Sequence, residues 1–65
     1  MKTLYFENQE TIDACAKELE KQGEYVSKST MTCACGQSSG YYTDTHKLIL
    51  CEACYNDATP VERGE

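Results

Sequence analysis

The sequence has no tryptophan, a single phenylalanine and a single proline. In a chain of 65 residues that leaves few large apolar side chains for a core. A domain this small buries too little apolar surface to be comfortably stable without a staple such as disulfides, a metal or a partner. No apolar run approaches the length needed to cross a bilayer, so no membrane partner is expected. Basic residues are scarce too: six against eleven acidic, a formal net charge of −5. Lys2, Lys17, Lys21, Lys28, Lys47 and Arg63 are scattered and form no run. Binding of duplexes depends on Lys and Arg neutralising phosphates, so the charge argues against nucleic acid as the direct partner. Met1-Lys2-Thr3-Leu4 leads into an alternating stretch and not into an apolar run of signal length. The expected setting is reducing and cytoplasmic.

Cysteine, by contrast, is abundant. There are five, and an odd count argues against a closed disulfide framework. In a reducing compartment closely spaced cysteines read as metal ligands. Cys33-Ala34-Cys35-Gly36 and Cys51-Glu52-Ala53-Cys54 supply two close pairs, the usual provision for one tetrahedral structural zinc ion. The expected ligands are Cys33, Cys35, Cys51 and Cys54. Four thiolates around Zn(II) carry a net charge of −2, which takes the whole chain to about −7. Gly36 fits a knuckle whose backbone turns at positive φ. The one-residue spacer between Cys33 and Cys35 demands a tighter turn than the commoner two. Iron or a redox dithiol are the other readings of the cysteines. His46 is read as a surface histidine, because four cysteines already fill the tetrahedron.

In chain order, Lys2 to Glu7 alternates, with Leu4 and Phe6 on one face, and predicts a half-buried strand. Asn8 is a suitable helix N-cap, and Glu10 adds negative charge to the first turn, where the helix dipole favours it. Ile12, Cys15, Ala16 and Leu19 fall at i, i+3, i+4 and i+7, one apolar stripe of a helix over about residues 9–22. Cys15 on that stripe reads as a small buried hydrophobe. Gly23 stands where a left-handed cap would end the helix. Glu24 to Thr32 predicts a strand that pairs beside the first, so that Tyr25, Val26 and Met31 meet the helix. Gly40 to Thr43 and His46 to Leu50 predict a hairpin turning at Asp44-Thr45. A short helix follows from Cys51, stopped by Thr59-Pro60, and a frayed polar tail runs to Glu65.

The expected fold is a small α+β domain: an N-terminal strand-helix-strand layer (1–32) joined to a zinc-stabilised hairpin with a short C-terminal helix (33–58), then the tail (59–65). A knuckle, a hairpin and two ligands on the first turn of a helix resemble a treble-clef zinc finger, with a zinc ribbon as the near alternative. The resemblance covers the C-terminal half and implies a metal-site architecture. Such fingers serve in transcription, translation, ubiquitin-system adaptors and small phage proteins, so it implies little about activity.

A closed four-thiolate site leaves no position for water or substrate, so no enzymatic activity is expected. The leading functional expectation is a small acidic protein-interaction module, an inhibitor or adaptor of phage or plasmid type that docks on a basic protein surface. Tyr41, Tyr42, Glu18 and Glu20 are its expected partner-binding residues, with Tyr55 beside the two tyrosines; equally, one or more tyrosines cover the metal site. A nucleic-acid-associated zinc finger is one alternative. A dithiol redox or metal-handling protein, using the Cys51/Cys54 spacing, is another. Monomer and homodimer both remain open, because the first strand has an edge to offer a second copy.

Overall fold

The computed structural model describes residues 2–64; Met1 and Glu65 lie outside the described residues, and with them the last residue of the expected tail. The elements run β1 (Lys2–Phe6), α1 (Gln9–Lys21), β2 (Ser27–Cys33), β3 (Gly36–Tyr42), β4 (His46–Leu50) and α2 (Glu52–Asp57). This is a small α+β fold with Cys33, Cys35, Cys51 and Cys54 in the C-terminal half.

Helix α1 begins where the sequence predicts. The Asn8 side-chain oxygen accepts from the Thr11 backbone N–H at 2.8 Å and from the Thr11 hydroxyl at 2.7 Å. A cap of this kind contributes about 1 kcal/mol. At the far end the Gly23 N–H donates to the Glu20 carbonyl at 3.0 Å, and Gly23 leaves the helix at φ +93°. That left-handed exit suits glycine because there is no Cβ to clash.

The four strands form one sheet in the order β1-β4-β3-β2. β1 pairs with β4 in parallel, Leu4 opposite Leu48, and the other pairings are antiparallel. The expected side-by-side pairing of the first two strands is therefore corrected: β1 and β2 lie at opposite edges. The physical reason lies in β4. Leu48-Ile49-Leu50 is apolar on both faces, so it has to sit inside the sheet with both faces covered. Docking β1 against β4 achieves this, whereas docking it against β2 would leave β4 at an edge.

Side chains alternate across the sheet and build two layers. On one side Phe6 and Leu48 pack with Ile12, Ala16 and Leu19 of α1, joined by Leu4, Cys15, Val26, Tyr41 and Leu50. On the other side Met31, Cys33, Ile49 and Cys54 pack together with Tyr5 and Cys51. Val26 reaches the helix layer as expected. Met31 does not: it shares a face with Cys33, two positions on, and faces away from α1. Tyr25 is exposed. The segment before β2 is occupied by a latch instead of a strand. Glu24 accepts from the Thr45 hydroxyl at 2.7 Å, and Asp44 accepts from the Tyr25 N–H at 3.2 Å.

Gly40 lies opposite Ile49 in the β3–β4 ladder. A Cβ there would run into the Leu48 carbonyl oxygen and meet Met31 Cγ at 3.0 Å. Only glycine lets these strands approach so closely over Met31.

The expected frayed tail is a second correction. Residues 59–64 turn back along β1, where the Tyr5 N–H donates to the Glu62 carbonyl at 2.8 Å. The Glu62 carboxylate accepts from the Thr59 N–H at 3.1 Å. Arg63 donates to the carbonyls of Tyr55 and Asn56, each at 2.9 Å, and its guanidinium lies 4.8 Å from the Tyr55 ring centroid. Arg63 thus adds a second donor to the Tyr55 carbonyl, which also accepts from the Ala58 N–H at 3.2 Å, and supplies one to the Asn56 carbonyl near the end of α2. The polar composition of the tail gave no sign of this anchoring.

Candidate metal centre

Cys33 and Cys35 come from the tip of the β2–β3 hairpin, where Cys33 pairs with Gly36. Only Ala34 and Cys35 lie between them. Neither takes positive φ, which excludes the primed turns usual in two-residue hairpins. The reversal falls instead on Gly36, at φ +133°. This is how the chain accommodates a one-residue spacer between ligands. Cys51 is the N-cap residue of α2, and Cys54 lies in its first turn. The apolar β4 strand delivers this second pair beneath the first.

The four Sγ atoms lie within 4.8 Å of one another. Cys35 is 3.0 Å from Cys51, 3.2 Å from Cys33 and 3.6 Å from Cys54, and Cys33 is 3.8 Å from Cys51. A tetrahedron with metal–sulfur bonds of about 2.3 Å has edges of about 3.8 Å, so the cluster has the size of a four-thiolate site. All five cysteines are free, and the spacing far exceeds a disulfide bond of about 2.0 Å. An all-sulfur tetrahedral donor set selects a soft metal, zinc or iron.

Neighbouring groups tune these sulfurs. The Ser38 hydroxyl, 3.2 Å from Cys33 Sγ, is the chief influence lowering the Cys33 pKa, followed by Cys35. Cys51 is lowered to about 6, first by its hydrogen bond with Cys35, then by the Cys54 backbone amide and by Ser38. Cys35 is pushed up, since its hydrogen bonds with Cys51 and Cys33 hold its proton. Burial raises Cys54. Four sulfurs this close divide their protons because adjacent thiolates repel; a dication held by Cys33, Cys35, Cys51 and Cys54 would offset that repulsion and favour the thiolate form of all four. Ser38 was not foreseen. It shares a face with Gly36 and Gly40 on β3, and the period-2 pattern aimed at the first knuckle was the signal available.

His46 stands outside the cluster, with Nδ1 2.7 Å from the Thr45 hydroxyl. Cys15 also lies outside it, half-buried in the α1 layer, with its pKa raised by burial and then by Glu24. The tyrosines do not gather in one place. The Tyr41 hydroxyl donates to Asp13 at 2.6 Å, and its ring packs into the α1 layer. Tyr42, the next residue on the strand, faces the other way, with the Lys47 ammonium 5.9 Å from its ring centroid. Tyr55 is held under Arg63. Glu18 and Glu20 are both exposed on α1. Glu20 and Tyr41 border one shallow groove together with Asp13 and Lys17.

Fold and site together define a small α+β protein carrying a four-cysteine cluster arranged to hold one metal ion, consistent with zinc. No family model, curated protein or solved structure matches the chain. Among the described residues no helix is long and apolar enough to cross a membrane.

Proposed function

We propose that the chain is a small, acidic, zinc-stabilised module for protein–protein interaction, without catalytic activity, which docks on a basic protein surface. The observation that carries this reading is the complete donor set. Cys33, Cys35, Cys51 and Cys54 would fill the coordination sphere of one zinc ion, leaving no open position for substrate. Zinc would then act on shape, tying the β2–β3 tip to the start of α2. The second ligand pair on a helix supports a treble-clef arrangement over a zinc ribbon, whose second pair would sit on another knuckle.

Charge supports the choice of partner. The formal net charge of −5 becomes about −7 with the metal site ionised. A nucleic-acid-binding finger would gather its basic residues on one face. Lys17 and Lys28 neighbour Asp13 on the α1 side, but Lys47 lies against Tyr42 on the opposite face and Arg63 is engaged at the end of α2. An acidic surface held by zinc suits an inhibitor or adaptor of the phage or plasmid type, covering a basic surface on its target.

The test is affinity capture from the source cell with the folded, zinc-loaded protein. The expected result is a basic protein partner released as salt rises. Recovery of nucleic acid resistant to moderate salt, with no protein partner, would overturn the reading.

A further inference from the structure

Beside the cluster, on the face opposite α1, lies a cleft of about 270 Å³. Its walls are Ala34 and Cys35 from the hairpin tip, Ala53, Cys54 and Ala58 from in and just after α2, and Tyr5 from β1. Asp57 and Glu62 complete the lining. The volume lies at the lower end of the scale of ligand pockets, about 300–1,000 Å³. It suits a single long side chain. The surface available to such a chain is of two kinds: three alanine methyls and a tyrosine ring offer apolar contact, and two carboxylates offer negative charge. No Lys, Arg or His lines the cleft.

Asp57 is informative. It is exposed at the last position of α2, and its carboxylate has no hydrogen-bond partner among the described residues. A negative charge at a helix C-terminus is unfavourable to the helix itself. Glu62 differs, since its carboxylate already holds Thr59. The cleft therefore presents one free carboxylate and one fixed carboxylate around an apolar floor, and a metal held by the four cysteines would add the net negative charge of a thiolate site beside them.

We propose that this cleft receives one lysine or arginine side chain from a protein partner, the aliphatic stem lying along Ala34, Ala53, Ala58 and Tyr5 and the cation reaching Asp57 and Glu62. The inference rests on the protein-interaction reading and gives it a contact point. It also places that contact away from the α1 face that carries Glu18, Glu20 and Tyr41. A long basic side chain meets both requirements at once, because its stem buries on apolar surface while its head stays with the charge. Nucleic acid is excluded here by the sign of every charged group in the lining.

The test is an NMR titration of the zinc-loaded protein with the blocked amino acids N-acetyl-lysine methylamide and N-acetyl-arginine methylamide. The uncharged norleucine analogue serves as control. The cationic probes are expected to shift the amides of Ala34, Ala53, Asp57 and Ala58 with dissociation constants of about 1–10 mM, weakening as salt rises. Asp57→Asn, which removes a charge the helix does not favour, should keep the fold and weaken binding about three-fold. Equal shifts with the norleucine analogue, no shifts at these amides, or unchanged affinity in Asp57→Asn would each overturn the assignment. The broader reading is separated by repeating the affinity capture with Asp57→Asn. Undiminished recovery of the same basic protein would refute this cleft and leave the interaction module standing.

Discussion

Removing the metal should unfold this protein, and the size of the effect follows from how little else holds the lower layer. Apart from cysteines, the buried apolar side chains there are Met31 and Ile49. The helix layer is also modest, with Phe6, Ile12, Ala16, Leu19 and Leu48 buried. A single core in a domain of this size rarely supplies more than about 3–5 kcal/mol of net stability. Structural zinc held by four protein ligands contributes about 10–16 kcal/mol at neutral pH. The metal term is thus about two to five times the most that such a core supplies. Without it, the β2–β3 tip and α2 lose their connection, and the remaining core is too small to hold the sheet. Native mass spectrometry of protein purified without added metal should show one Zn(II) per chain. Strong chelation should remove the ion and the far-ultraviolet circular dichroism signal of the fold together. Cys51→Ser should reproduce the loss, since it deletes one sulfur of the cluster while leaving α2 a good N-cap residue. A metal-free protein melting at the same temperature as the zinc-loaded one would refute the reasoning, as would native-like circular dichroism in Cys51→Ser.

Three further outcomes are expected. Gly40→Ala should destabilise the zinc-loaded protein by about 1–3 kcal/mol, because a Cβ meets the Leu48 backbone and the strands must shift; unchanged thermal melting would contradict this. Tyr41→Phe should shift acid unfolding: Asp13 is held below its ordinary pKa first by the Tyr41 hydroxyl and then by Gln9, so its contribution is present above the usual carboxylate range and is lost as pH falls through the lower folded value. Circular dichroism melts should therefore separate wild type from Tyr41→Phe at neutral pH and bring them together in acid, and a constant difference at all pH values would argue against the linkage. Cys15→Ser should keep one zinc ion per chain by mass spectrometry, since Cys15 stands outside the cluster, and a changed metal stoichiometry would make it a ligand.

The four-cysteine cluster was legible because metal chemistry fixes residue type and spacing together. Helix α1 was legible for a similar reason: Asn8, the Ile12–Leu19 stripe and Gly23 are local signals, and each acts locally in the fold. Strand pairing was not. Nothing in Leu4 or Phe6 says which strand they will lie beside, and the choice was made by the need of Leu48-Ile49-Leu50 for two covers. The tail was missed partly because the groups it docks on, the Tyr5 N–H and the Tyr55 and Asn56 carbonyls, are backbone groups that belong to any sequence. The local signal that was available is the reciprocal pair Thr59 and Glu62, three residues apart. The tyrosines were grouped for the amphipathic contact area each offers, although adjacent strand residues such as Tyr41 and Tyr42 point to opposite faces.

The parallel pairing of β1 with β4 bears on the order in which the protein folds. Lys2 lies opposite His46, and Phe6 opposite Leu50, so the first strand finds its place only after the fourth exists. The β2–β3–β4 meander can form from near neighbours, closing short loops as it goes. β1 must instead close a loop that contains the rest of the sheet, and such long-range parallel pairings form slowly. Of the four strands β1 is therefore expected to dock last, and until then one edge of β4 is unpaired.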